Sequence, residues 1–163
     1  MRIRIKYGSY LPILTRIIEK TDGPILELGI GLYSTPYLHY ACLPTKRKLV
    51  SYDNSEGWVR YFRDCRTDFH EVNHIDDWDK LPINNFYDVV FVDHAPARRR
   101  ITEVRRLVDH ADYVVIHDSN GRFENWYHYS LIYPLFKYQY EYGVLMPHTT
   151  VLSNLHDVRN LKI

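Results

Sequence analysis

The chain carries only two cysteines, Cys42 and Cys65, in 163 residues. Two thiols cannot build a disulfide framework, so the fold must be held by its core, and both read as buried thiols of an intracellular protein. No apolar run approaches the roughly 18 residues that mark a membrane span, and no secretory leader is legible. The expectation is a cytoplasmic protein with no membrane contact. A one-sided charge is missing as well: 21 basic and 20 acidic residues leave a formal net charge of +1. Such a chain has no global field to draw in nucleic acid or an acidic lipid surface. Repeats, low-complexity tracts and linkers are absent. A single domain over 1–163 is therefore expected, with an N-terminal segment and helix over 1–22, a core over 23–127 and a hairpin region over 128–163.

What is present is an ordinary globular composition, 45% hydrophobic and 25% charged, with an unusual 15 tyrosines against six Phe and three Trp. Roughly two-thirds of the unfolded surface of a chain this long is buried on folding. Leu11, Leu14, Ile17 and Ile18 have helical spacing and stop at Asp22-Gly23-Pro24. Ile25 to Leu28, Lys48 to Asp53, Phe69 to Ile75, Tyr87 to Asp93 and Tyr113 to Asp118 read as strands. Between them lie helical segments: Thr35 to Leu43, a face marked by Trp58, Tyr61 and Phe62, and Arg98 to Val108 with Ile101, Val104, Leu107 and Val108 inward. Phe136, Tyr138, Tyr140 and Tyr142 alternate with polar residues, and Thr149 to Leu152 supplies a partner strand beyond the turn at Gly143 to Pro147. Alternating strands and helices predict an α/β fold: a doubly wound, mostly parallel sheet of about seven strands, Rossmann-like, closed by an antiparallel C-terminal hairpin. The Tyr-rich last hairpin also offers an edge for a homodimer.

The densest signal is Ile25-Leu26-Glu27-Leu28-Gly29-Ile30-Gly31-Leu32-Tyr33-Ser34. A strand ending in two close glycines lets backbone approach a ligand at the head of the next helix. Ser34 stands where a dinucleotide fingerprint has its third glycine, and Glu27 precedes the turn. A pyrophosphate wants free N–H groups and no nearby carboxylate, whereas a ligand ammonium would find a partner in Glu27. S-adenosylmethionine (SAM) fits those features better than NAD. Asp53 ends the second strand, where a carboxylate about 20 residues past the loop accepts from two ribose hydroxyls; Asn54 and Ser55 beside it can cap the next helix. Asp93 and Asp118 end two further strands. Together they could hold Mg²⁺, or orient a substrate hydroxyl while His94 takes its proton. His117 reads as a core or supporting residue. Arg98, Arg99, Arg100, Arg105 and Arg106 read as a solvated helix face.

The ordered set from Glu27-Leu28-Gly29-Ile30-Gly31 through Asp53, Val92-Asp93-His94 and Ile116-His117-Asp118 resembles class I SAM-dependent methyltransferases over about residues 8 to 154. The pattern is most similar to O-methyltransferases of the catechol type. The resemblance implies SAM as cofactor, held by Glu27, Gly29, Gly31, Ser34, Asp53, Asn54, Asp76, Asp77, Trp78 and Asp93. Asp77 would accept from the adenine amino group and Trp78 would cover the ring. Asp93, His94 and Asp118 would carry the chemistry. The catechol-type pattern places a third metal ligand, Asn, where this chain has Ser119, and a lysine where it has Pro96. The expectation is therefore no metal site, with Mg²⁺ the alternative. The acceptor is unidentified, O- or N-directed, a small molecule or a protein. No Asn-Pro-Pro-Tyr or Asp-Pro-Pro-Tyr element is present for methylating the amino groups of DNA bases. Two other readings stay open: a SAM- or nucleotide-binding module without turnover, and an NAD-binding Rossmann protein.

Overall fold

The computed structural model describes residues 5–161 of the chain; the ends of the expected 1–163 span lie outside the described residues. Helix α1 (Leu11–Ile18) buries Ile13, Leu14, Ile17 and Ile18 along one stripe. Its exposed carbonyl end is satisfied by Arg47, whose guanidinium donates to Ile18 O and Thr21 O at 3.2 and 2.8 Å. Strand β1 (Ile25–Leu28) leads into α2 (Ser34–Cys42), β2 (Leu49–Asp53), α3 (Glu56–Tyr61) and β3 (His70–His74). Then follow β4 (Tyr87–Val92), α4 (Arg100–Leu107), β5 (Ala111–His117), α5 (Glu124–Tyr127) and the hairpin β6 (Tyr138–Tyr142) and β7 (Thr149–Ser153).

The seven strands form one sheet in the order β3-β2-β1-β4-β5-β7-β6. All pairs up to β5 are parallel, and β7 runs antiparallel to both β5 and β6. The expected α/β, doubly wound architecture with its reversed hairpin is what forms. Central strands are buried on both faces because helices cover both. Ile25, Val89, Phe91 and Val115 join one core with α1 and Leu38, while Leu26, Leu28, Val90, Val92 and Ile116 join the other with Val104 and Leu107. Winding reverses between β1 and β4, which are adjacent although β2 and β3 intervene in sequence. In open α/β sheets the crevice at such a switch point is where ligands bind.

Two amphipathic assignments change. In α3 the inward residue is Val59, packed with Phe62, Ile30 and Val72, while Trp58 and Tyr61 are 37% and 64% exposed. In α4 the buried face is Arg100, Glu103, Val104 and Leu107, and Ile101 is only half-buried. Two charged side chains there displace apolar ones because both have partners beneath the helix, as shown below.

Candidate functional site

Gly29 sits at φ +106°, a conformation that side chains avoid, and a Cβ there would lie 2.6 Å from the Asp93 carbonyl carbon and the His94 nitrogen. The end of β1 is thus pressed directly onto the end of β4. The loop is then anchored from below. Gly31 N–H donates to Thr35 Oγ1 at 3.0 Å, and the Thr35 hydroxyl donates to Glu27 at 2.9 Å. Ser51 Oγ donates to the other Glu27 oxygen at 2.6 Å. Since Ser51 has spent its one hydrogen, its oxygen accepts from His70 Nε2–H at 2.9 Å. His70 Nδ1 then accepts from His39 Nδ1–H at 3.1 Å. A directed chain of hydrogen bonds runs from His39 near the surface to the glycine loop.

Glu27 is fully buried in the middle of that chain. Burial pushes its pKa up to about 7, against the hydroxyls of Ser34, Ser51 and Thr35, which favour the charged form. Burial also drives the His70 pKa down to about 4. Glu27 is expected to partner the ligand ammonium directly or through water; the structure instead buries its carboxylate among hydroxyl donors, outside direct reach of a ligand. Ser34, expected at the ligand, is likewise buried and hydrogen-bonded to Glu27 and the Tyr10 hydroxyl.

Asp53 joins two turns. Its Oδ2 accepts from Ile30 N–H at 2.8 Å in the glycine loop, and Oδ1 from Ser55 N–H at 2.7 Å. Burial raises its pKa in spite of these donors. Ser55, not Asn54, caps α3 through Trp58 N–H, and Asn54 is exposed. Asp76 and Asp77 are exposed, with Asp77 Oδ1 accepting from Asp79 N–H at 3.0 Å. Trp78 departs from expectation. It is 4% exposed, its Nε1–H donates to Ala95 O at 2.9 Å, and its ring lies 4.1 Å from that of His94. The indole is core and cannot cover a ligand ring.

The same packing removes His94 as a base. Its side chain is wholly buried, sandwiched by Trp78, with Nε2 facing Glu103 Oε2 at 3.4 Å. Only its backbone belongs to the rim. The histidine that does reach the rim is His117, placed among core residues by its sequence context. Ser9 donates its hydroxyl hydrogen to Pro147 O at 2.7 Å, so Ser9 Oγ accepts from His117 Nε2–H at 3.0 Å. His117 Nδ1 lies 3.2 Å from Asp93 Oδ2.

Arg100 is the residue that sequence reasoning missed. It is 6% exposed, and Nη2 lies 2.9 Å from Asp93 Oδ1 while Nη1 lies 3.4 Å from Asp118 Oδ2. Nε–H donates to His94 O at 2.8 Å and Nη1–H to His117 O at 3.3 Å. Burial alone would raise the Asp93 pKa, but Arg100 and then His117 outweigh it and hold the carboxyl below its ordinary value. Asp118 has φ +60°, a left-handed turn that Asp tolerates better than most residues. It accepts from Tyr127 O–H at 2.9 Å. The signal that could have exposed Arg100 is its spacing with Glu103, Val104 and Leu107 on one helical stripe.

Over this rim opens a cavity of about 600 Å³. Gly31, Leu32 and Tyr33 of the loop form one side and Asp93, His117 and Asp118 the floor. Tyr7, Tyr10, Trp58 and Phe123 supply aromatic walls, Met146 and Pro147 a lip, and Lys6 and Arg122 the basic side chains that line it among the described residues. Of the residues singled out in the sequence, Gly31, Asp93 and Asp118 line this cavity. Glu27, Gly29, Ser34, Asp53, Asn54, Asp76, Asp77, Trp78 and His94 lie outside the lining.

No protein-family model and no curated protein matches the chain. Among solved structures it is similar to S-adenosylhomocysteine (SAH)-bound PaMTH1, a methyltransferase of Podospora anserina, with a TM-score of 0.69 at 15% identity, over 94% of this chain and 80% of that one. It is similar also to TomG of Streptomyces achromogenes, an O-methyltransferase of tomaymycin synthesis solved with SAM (TM-score 0.63, 16% identity, 93% of this chain and 81% of that one). An O-methyltransferase of Bacillus cereus in complex with SAH gives a TM-score of 0.66 at 15% identity, over 93% and 82%. The chain has the Rossmann-like fold of these methyltransferases, as the Glu27–Gly31 turn and the reversed last strand implied.

Proposed function

We propose that the protein is a SAM-dependent methyltransferase acting on an oxygen or nitrogen acceptor. One observation carries the reading: a glycine loop opens, at the switch point of the sheet, onto an aromatic-walled cavity floored by the carboxylates that end β4 and β5. The SAM and SAH present in similar folds support it. In this reading Gly29 lets the loop turn tightly against β4, Gly31 admits the cofactor, Asp53 secures the loop and offers its remaining lone pairs to ribose, and Asp93 faces the methionyl end. Asn54, Asp76 and Asp77 form the exposed border on the adenine side. An acceptor lone pair forms the new bond to the methyl carbon as the C–S bond breaks and SAH leaves. In-line alignment is the main task, and proximity can supply about 7–11 kcal/mol of it. Asp93 and Asp118 accept a hydrogen bond from the acceptor, whose proton leaves through them to water. His117 positions Asp93.

The whole chain acts as one domain in this reading, and its unpaired cysteines fit a cytoplasmic setting. Among the described residues no helix is long and apolar enough to cross a membrane. β6 ends the sheet and is the edge through which two copies would pair. Calorimetric titration with SAM, SAH and NAD tests the central claim. Binding of SAM and SAH but not NAD is expected, followed by methyl transfer in an acceptor screen. Binding of NAD alone would sink it, and SAM binding without turnover on any acceptor would favour a binding module.

A further inference from the structure

Asp93, His117 and Asp118 each present a ligand atom within 4.8 Å of the others, a grouping that invites a divalent ion. The donor set does not fit one. Asp93 Oδ1 is taken by Arg100 Nη2 at 2.9 Å, and Asp93 Oδ2 faces His117 Nδ1 at 3.2 Å. Asp118 Oδ2 accepts from Tyr127 O–H at 2.9 Å and faces Arg100 Nη1 at 3.4 Å. Ser119, the next residue, turns its hydroxyl away to accept from Thr150 Oγ1 at 2.8 Å, and Asn120 Oδ1 accepts from His148 N–H at 2.9 Å. Neither can complete the octahedron that Mg²⁺ demands.

We infer that the Arg100 guanidinium is the resident cation of this site, seated between the Asp93 and Asp118 carboxylates where a metal ion would otherwise stand. Its place is fixed from several directions. A planar fork of five N–H donors suits two carboxylates and the His94 and His117 carbonyls at once, and a point-charge lysine would not. The side chain descends from the buried stripe of α4, so it cannot swing to solvent to make room for an ion. Displacing it would strand a buried guanidinium without its counter-ions. Arg100 is a positioning residue: it holds the Asp93 carboxyl below its ordinary value and keeps both carboxylates aimed at the cavity. In the methyltransferase reading, on which this last step rests, the acceptor is held by hydrogen bonds and not by chelation, so the site has no reason to prefer vicinal diols.

The test is a Mn²⁺ titration of the full chain, followed by the free-ion electron paramagnetic resonance signal. Wild type is expected to bind no Mn²⁺ up to about 1 mM, because the guanidinium fills the place of a hard cation. Arg100→Gln, which empties that place and leaves the carboxylates, is expected to bind Mn²⁺ at least about tenfold more tightly. Its melting temperature should rise with added Mg²⁺ while that of wild type stays put. A single Mn²⁺ on wild type that Asp118→Asn abolishes would overturn the inference, as would a folded Arg100→Gln that binds no better than wild type. Should Arg100→Gln fail to fold, the wild-type titration decides alone. Calorimetry with SAH on the same wild-type sample separates the two readings: no SAH binding with an unchanged Mn²⁺ result sinks the methyltransferase and leaves the arginine in place.

Discussion

Glu27→Gln is the substitution whose effect the structure specifies most closely. The carboxyl is fully buried, has no basic side chain among the partners that shift it, and titrates near 7 where an unperturbed Glu titrates at 4.5. A folded pKa raised above the unfolded one means that the native state holds the proton longer. Stability is therefore unaffected below about pH 4.5, falls as pH rises toward 7, and is flat above it. The shift amounts to about 3 kcal/mol lost across that window. Glu27→Gln removes this dependence, at a constant cost of about 1 kcal/mol for the hydroxyl of Thr35 or Ser51 that must reorient. Urea unfolding of both proteins at pH 5, 6, 7 and 8 reads the difference. The buried His70, neutral down to about pH 4, weakens both proteins as pH falls below 6.5 and cancels in the comparison. Wild type should be the more stable at pH 5 and the variant at pH 8. The same difference at both ends would refute the account and show Glu27 ionised throughout.

Gly29→Ala should cost at least about 2 kcal/mol of stability, since φ is positive and the new Cβ meets the Asp93–His94 peptide. Gly31→Val should fold with a near-normal melting temperature, its Cβ meeting only Ser34 Oγ at 3.4 Å, yet lose SAH binding by calorimetry because Gly31 lines the cavity. Asp53→Ala should weaken SAH about tenfold or more and also lower the melting temperature, because it releases the N–H groups of both Ile30 and Ser55. Unchanged SAH affinity with lowered stability would make Asp53 a loop tie only.

Much of this fold was legible because its strands are short apolar runs separated by amphipathic helices. Ile25–Leu28 and Leu11–Ile18 could be bounded to the residue. The acids at strand ends were legible as a rim for the same reason, since an apolar run leaves its terminal Asp conspicuous. What stayed hidden is which way a polar side chain turns after the strand ends. Asp93 and His94 are neighbours, yet one faces the cavity and the other the core. Arg99, half-buried just before α4, turns to Asp79 and Glu103, while its neighbour Arg100 turns into the site. In both cases the choice is made by a distant partner: Trp78 and Glu103 for His94, Asp93 and Asp118 for Arg100. No local periodicity encodes those contacts.

The reassignment of His94 has a sharp consequence. If it serves packing and its facing Glu103, then His94→Gln keeps a polar group against that carboxylate but loses the ring stacked on Trp78. The loss of an aromatic contact and the weakening of a fully buried contact with Glu103 cost about 1–3 kcal/mol. SAH affinity should be unchanged, because the side chain lies outside the cavity lining and only its carbonyl, which accepts from Arg100, matters to the rim. The expected result is a lowered melting temperature with wild-type SAH binding. Any methyl transfer, once an acceptor is found, should keep its wild-type pH profile. A His94→Gln protein that melts like wild type and binds SAH normally but no longer transfers methyl would restore this histidine as the base and place its ring, during turnover, on the cavity side of the Trp78 indole.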